Sequence, residues 1–278
     1  MMDARITPLP FMKMHGLGND FVVIDGRGSD VVLGAARVRA LADRHRGVGC
    51  DQLALLGGAD GADISITFYN ADGSPSAACG NATRCIAAWE MERTGAEALS
   101  IEVTGRGGLE AVRRADGLVA VNMGHPLLDW RGVPLAHELE TLTLPIEGGP
   151  AATGMGNPHC TFFVPDTDAV DLAVRGPEIE HHPLFPERTN VQFATILSET
   201  RIRMRVWERG TGITLASGSS SCATAVAAAR RGLTGRQVEI VLDGGTLEID
   251  WREDGVWMAG PTAHVFDGML TADYLASL

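Results

Sequence analysis

Two loops of small residues, each opening an apolar helix, lie 138 positions apart in a chain of 278 residues. The later loop is Ser217-Gly218-Ser219-Ser220, entered from Glu208-Arg209 through a glycine turn and followed by an alanine-rich helix to Arg231. The earlier is Cys79-Gly80-Asn81-Ala82-Thr83-Arg84, preceded by Asn70-Ala71-Asp72-Gly73 and leading into a helical run toward Thr94. A small-residue loop at a helix start leaves backbone N–H groups without helical partners, and these suit a carboxylate or phosphate. A spacing close to half the chain predicts two similar halves, each delivering one helix N-terminus to a shared site.

The rest of the chain repeats that grammar. Phe11–Asp25 reads as strand, glycine turn, strand; Ala35–His45 has apolar residues at helical spacing; Ile64–Tyr69 is a strand. Cys79–Thr94 has few charges before Glu90 and reads as a buried central helix. Short strands follow at Leu99–Thr104, Leu109–Arg113 and Leu118–Asn122. Residues 124–150 are rich in Gly, Pro and acidic side chains and mark the boundary between halves. Beyond it come a strand at Thr161–Val164, a short helix around Val170–Arg175 and a strand at Val191–Ile196. Ile202, Met204 and Val206 then alternate with arginines, and the second loop and helix lead to strands at Val238–Leu242, Thr246–Ile249 and Val256–Ala259. Many short strands around one helix per half do not match a nucleotide-binding βαβ array. Gly16-Leu17-Gly18 lacks a third glycine, and no phosphate-binding GxxxxGK[ST] occurs.

Composition narrows the partners. Apolar residues at 45% and charged residues at 21% fit a soluble globular chain. A formal charge of −12 disfavours nucleic acid and anionic membrane. Met1–Phe11 carries Asp3 and two prolines and does not read as a secretory signal, and no apolar stretch approaches membrane-spanning length. Five cysteines (Cys50, Cys79, Cys85, Cys160, Cys222) read as free thiols, and no His/Cys spacing predicts a metal.

Cys79 is the strongest reactive candidate, because a helix N-terminus stabilises a thiolate; the competing reading is a small buried cysteine. Cys50, Cys85, Cys160 and Cys222 read as core. Asn19, Gln52, Asn70, Asn157 and Asn190 stand where loops meet strands, as turn formers or as a directional shell for a zwitterionic amino acid. In the second reading Arg209 pairs a carboxylate and Glu208 an ammonium; alternatively the two form a surface pair. His159 is a loop histidine or a group that tunes a nearby thiol.

In this order the segments KMHGLGNDF, GVGCDQ, FYNADGS, ACGNATRC, VNMGHP, GNPHC, FPERTNVQF, WERGTG and DGGTLEI resemble the diaminopimelate epimerase family. The resemblance covers nearly the whole chain. It implies an α/β (α+β) fold of two pseudo-symmetric domains, each an antiparallel β-barrel-like sheet wrapped around a central helix, with the active site in the cleft between. Domain limits would be 1–124, with 265–278 returning to it, and 125–264. It further implies a cytoplasmic, metal-free and cofactor-independent enzyme of lysine and cell-wall precursor synthesis, which epimerises LL-diaminopimelate to the meso form by proton transfer at Cα between two cysteines on opposite faces. A homodimer is implied, with Phe266 near its interface. By the same resemblance Cys79 is one catalytic residue. Gly80, Asn81, Gly218 and Ser219 hold the α-carboxylate, and Asn19, Gln52, Asn70, Asn157, Asn190, Glu208 and Arg209 contact substrate. His159 and Glu208 tune the acid–base groups.

The chain departs from the pattern at one decisive place. Ser217 stands where the second cysteine is expected, and Ile213 replaces an acidic residue. A serine hydroxyl is a far weaker acid than a thiol. Three accounts of Ser217 are open: a single replacement that traps bound substrate, a natural variant that still epimerises, or a one-thiol dehydratase or isomerase of another small amino or hydroxy acid. The neighbouring Ser219-Ser220-Ser221 favours a natural change. A non-catalytic amino-acid-binding relative is a further alternative.

Overall fold

Apolar runs and alternations become strands in the computed structural model, which describes residues 7–29, 31–76 and 79–278. β1 (Leu9–Gly16) and β2 (Asn19–Asp25) pair across the Leu17-Gly18 turn. After α1 (Ala35–Ala42) come β3 (Gln52–Gly57), β4 (Ile64–Asn70), β5 (Pro75–Ser76) and α2 (Gly80–Thr94), then β6 (Ala98–Val103), β7 (Gly107–Arg113) and β8 (Val119–Asn122). The series then repeats as β9 (Ala151–Gly154), β10 (Pro158–Phe163), α3 (Leu172–Glu180), β11 (Asn190–Ser198), β12 (Arg201–Glu208), β13 (Gly212–Thr214), α4 (Gly218–Arg230), β14 (Gln237–Leu242), β15 (Gly245–Arg252) and β16 (Gly255–Gly260). β17 (Ala263–Leu270) and the short α5 (Ala272–Ala276) end it.

Strand pairing repeats along with element order. β2–β3 and β10–β11 are parallel, β3–β4 and β11–β12 antiparallel, β4–β6 and β12–β14 parallel, and β6–β7 and β14–β15 antiparallel. The short β5 and β13 each pair antiparallel with the strand before them. The series part at their last strands: β8 pairs with β16, and β17 pairs with β1. Two compact units result. Of the described residues, one holds those up to Gly16, those of Asp20–Arg113 and Thr262–Leu278; the other holds Leu17–Asn19 and Arg114–Pro261. The fold is mixed α/β, and its large sheet does not close into the barrels expected from the sequence.

In the first unit α2 packs against β1, β6, β7 and β17. Its residues Gly80–Ala87, Glu90 and Met91 are all buried, which is why the helix shows no polar face. Gly95 ends it in the left-handed conformation (φ 75°), its N–H donating to Met91 O, a geometry a Cβ would strain. A core of Phe11, Val22, Leu41, Leu53, Leu270 and Leu275 seats α1 and α5. In the second unit α4 packs against β9, β10, β11, β14, β15 and β16, and Ser220–Ala228 are all buried. Its serines and alanines let those strands approach closely. Phe162 and Phe193, register partners on β10 and β11, stack at 4.9 Å with a 14° tilt, an arrangement worth about 0.5–1.5 kcal/mol beyond area burial.

The second helix of the repeat runs over Leu172–Glu180, later than the Val170–Arg175 reading. Pro177 lies inside it, and Gly176 lets the Trp207 ring approach to where a Cβ would be, 2.5 Å from ring carbons.

Candidate active site

Cys79 and Ser217 occupy the same place in the two series. Each is the N-cap of the helix that follows the short strand of its series, β5 or β13, with extended backbone (φ −146°, ψ 92° and φ −139°, ψ 118°). Neither side chain caps its helix, so thiol and hydroxyl are turned to other uses.

In the first unit Cys79 is buried, and its carbonyl accepts both the N–H and the hydroxyl of Thr83 at 2.9 Å. Gly80 and Asn81 form the first turn of α2 and are buried. Fully buried Arg84 donates to Asn81 Oδ1 at 3.1 Å. Gly16 admits this pair: a Cβ there would lie 2.9 Å from Arg84 Nη2 and 3.1 Å from Asn81 Cβ. Gln52 and Asn70 are register partners on β3 and β4. Gln52 Nε2 donates to Asn70 Oδ1 (3.1 Å) and to Ser76 Oγ (3.2 Å), and Asn70 Nδ2 donates to Ser74 Oγ (3.0 Å). An ion cluster fixes the chain just before Gln52: Lys13 and Arg44 bind Asp20, and Arg44 also reaches Asp51. Burial opposes ionisation of Asp20, but hydrogen bonds from Arg44 and Lys13 prevail and lower its pKa to about 2.

In the second unit a polar chain runs through a buried interior. His159 is wholly buried on β10, with Nε2 at 2.8 Å from Asn157 Oδ1. Burial, with Arg209 adding like charge, lowers its pKa to about 3. The ring is therefore neutral, Nε2 donates to Asn157, and Nδ1 accepts from Gln192 Nε2 at 3.1 Å. Gln192 Nε2 also donates to Ser220 Oγ at 3.0 Å, and its Oε1 accepts from Thr161 at 3.1 Å. Ser217 Oγ is 3.0 Å from Ser220 Oγ and donates to Glu208 Oε2 at 2.8 Å. Glu208 Oε1 accepts from Thr214 at 2.7 Å. Asn190 Nδ2 donates to Pro158 O (2.9 Å), while its Oδ1 accepts Arg209 N–H (3.0 Å); Arg209 Nη1 donates to Glu187 O (3.0 Å). Gly218 and Ser219 make the first turn of α4. Asn19 opens β2, half-buried, beside a Leu17-Gly18 turn that packs on Gly244 so tightly that a Cβ there would meet Leu17 O at 2.0 Å. Gly244 N–H in turn holds Leu215 O at 2.8 Å.

The structure thus gathers Asn157, His159, Asn190, Glu208, Arg209 and Ser217 in one unit, and Gln52, Asn70, Cys79, Gly80 and Asn81 in the other. Cys50, Cys85, Cys160 and Cys222 are buried thiols, as expected. Ile213 is exposed, opposite Trp207 on β12. Sequence reasoning missed Ser220, Gln192, Thr161 and Thr214. The one signal was Gln192, a polar residue between Val191 and Phe193 in an apolar strand. It also missed Glu180, whose buried carboxylate accepts from Trp207 Nε1 (2.7 Å) and Gly210 N–H (2.9 Å) and so fixes the Glu208–Arg209 turn. Among the described residues no His/Cys/Asp/Glu cluster has the form of a metal site, and no helix is long and apolar enough to cross a membrane.

This mixed α/β architecture is that of a hydroxyproline epimerase from Agrobacterium vitis, with TM-score 0.69 at 15% identity, over 97% of this chain and 94% of that one. The sequence pattern of diaminopimelate epimerase matches residues 11–128 and 151–265. The chain is 54% identical to a diaminopimelate epimerase of Rhodospirillum centenum over 272 residues, covering 95% of this chain and 93% of that one. It is 53% identical to the diaminopimelate epimerase of Acidiphilium cryptum, covering 96% and 98%. The chain belongs to the diaminopimelate epimerase family.

Proposed function

We propose that this chain converts LL-diaminopimelate to meso-diaminopimelate, moving a proton at one Cα with Cys79 serving one face and Ser217 the other. The observation that carries the reading is the equivalence of these two side chains: each is the N-cap of the same helix in a duplicated series, and neither is spent on capping. A Cα–H is a very weak acid, so its carbanion needs preorganised donors around the neighbouring carboxylate. Gly80, Asn81, Gly218 and Ser219, at helix starts, suit that carboxylate. Gln52, Asn70, Asn19, Asn157 and Asn190 suit the rest of a polar, zwitterionic substrate, and Arg209 a distal carboxylate. No metal or organic cofactor is needed for this chemistry.

Glu208 supports the reading in a second way. Both its oxygens accept hydroxyl protons, from Thr214 and Ser217, which supports a carboxylate that tunes Ser217. The hydroxyl at 217 also favours a one-thiol alternative, a dehydratase or isomerase using Cys79 alone. Incubation with LL-diaminopimelate in deuterated water separates the two. Epimerisation gives meso product carrying one deuterium at Cα; a different product, or no label, rejects it. The exposed Val265, Phe266 and Met269 on β17, with Phe266 set edge-on to Phe11, support a homodimer joined through that strand.

A further inference from the structure

We infer that Gln192 and His159 are positioning residues for Asn157: Gln192 fixes which ring nitrogen of His159 carries the proton, and that proton fixes which end of the Asn157 amide meets substrate. This rests on the epimerase reading above, in which Asn157 contacts substrate, and goes beyond it. Strand geometry brings the groups together. His159 and Thr161 are two apart on β10 and share a face, and Gln192 of β11 is the register partner of Thr161. Helix α4, which carries Ser220, packs on both strands. Gln192 therefore meets three groups at once. Its Oε1 accepts the Thr161 hydroxyl at 3.1 Å, and its Nε2 donates to Ser220 Oγ at 3.0 Å and to His159 Nδ1 at 3.1 Å. All four side chains are wholly buried, so Gln192 and His159 act on substrate only through a neighbour.

An amide nitrogen only donates, so His159 Nδ1 beside it presents its lone pair. A neutral imidazole has one N–H, which then sits on Nε2. Nε2 lies 2.8 Å from Asn157 Oδ1, and only the oxygen end of that amide accepts a proton. The amide is thereby locked, with Oδ1 turned to the buried ring and Nδ2 turned from it. Among the described residues no hydrogen bond holds Asn157 Nδ2. Its N–H groups are left for a substrate oxygen and do not suit an ammonium. Met155 N–H holds the Asn157 carbonyl at 3.0 Å, so the backbone of the residue is set as well. The opposite tautomer would place the Nε2 lone pair against Oδ1. The amide would then have to turn, and its oxygen would face the substrate oxygen. Exchanging that hydrogen bond for a repulsion weakens binding about 3- to 10-fold.

The test has a spectroscopic arm and a kinetic one. Nitrogen NMR of the isotope-labelled wild type should find the His159 proton on Nε2, unchanged between about pH 8 and about pH 5. A proton on Nδ1 would overturn the inference. The kinetic arm uses LL-diaminopimelate and reads kcat, KM and melting temperature. Gln192→Met is expected to raise KM about 3- to 10-fold with kcat within about twofold. The same change made on top of Asn157→Ala should leave KM where Asn157→Ala alone puts it. His159→Leu should raise KM likewise, and His159→Gln, whose amide nitrogen can donate where Nε2 stood, should recover it. Equal KM increases with and without Asn157, no KM increase, or a loss confined to kcat in the His159 variants would overturn the inference while leaving the epimerase reading intact. The ring spectrum and the His159 pair decide the matter even where Gln192→Met fails to fold. Absence of meso product and of Cα label in the wild type would reject the epimerase reading itself, and this inference with it.

Discussion

His159 sits where it cannot work as a pH switch. Full burial, with Arg209 adding repulsion, lowers its pKa from 6.5 to about 3. In the unfolded chain the group takes a proton below about 6.5, whereas the fold refuses it down to about 3. Stability therefore falls as pH drops through that window, by about 1.4 kcal/mol per unit, and this group adds no slope above it. Denaturant unfolding at about pH 7 and about pH 5 should show wild type losing about 2 kcal/mol more than His159→Gln; parallel losses would contradict a buried neutral ring. At this scale the helix starts that carry Cys79 and Ser217 and the strand ends that carry the Asn/Gln set were legible in the sequence, because small-residue loops and apolar runs mark them. Ser220 and Gln192 were hidden. Their contacts with His159, Thr161 and Ser217 depend on β11 lying beside β10 in register, Gln192 opposite Thr161, and a chain read in order does not display that pairing.

Helix α2, with Cys79 at its N-cap, is held from its far end. Glu90, 4% exposed, accepts from Arg27 of the turn after β2 and from Arg93 on its own helix. Trp89 lies under both guanidinium groups. Burial raises the Glu90 pKa, but hydrogen bonds from Arg93 and Arg27 outweigh it and bring the value to about 2. Its contribution is fully present above the unfolded value near 4.5 and is lost as pH falls toward 2. Glu90→Ala leaves Arg27 short of a buried partner and is expected to cost about 3 kcal/mol in urea unfolding. Arg93→Ala, at a half-exposed site, should cost much less, and equal costs would show that Glu90 is not the hub. Element boundaries were less legible than element types. α1 stops at Ala42 and not at His45 because the Asp43 carboxylate takes the N–H groups of His45 and Arg46 into a turn. β17 went unread because Val265, Phe266 and Met269 face outward, so the strand shows no buried alternation.

Duplication is the large-scale fact, and it was visible in the 138-residue spacing of the two helix starts. The return of the chain's end to the first half was expected only from the family resemblance, since it depends on β1 finding β17 some 250 positions away. That exchange makes a local prediction. Leu270, buried in the core with Phe11, Val22 and Leu53, ties the chain's end to the first unit. Leu270→Ala should cost about 2–4 kcal/mol, and hydrogen exchange should quicken in β1–β4 while β10–β12 keep their protection. Uniform quickening would show that the two units do not unfold as separate blocks.

The claim that two equivalent N-cap side chains divide the faces of one Cα is tested most directly by hydrogen exchange at that carbon. Cys79→Ala and Ser217→Ala are each incubated with LL- and with meso-diaminopimelate in deuterated water, and label at Cα is followed by NMR. Neither variant should invert the centre. Each should exchange the Cα hydrogen of one stereoisomer only, and the two variants should choose opposite isomers. Inversion by either variant, or the same isomer labelled by both, would contradict the account.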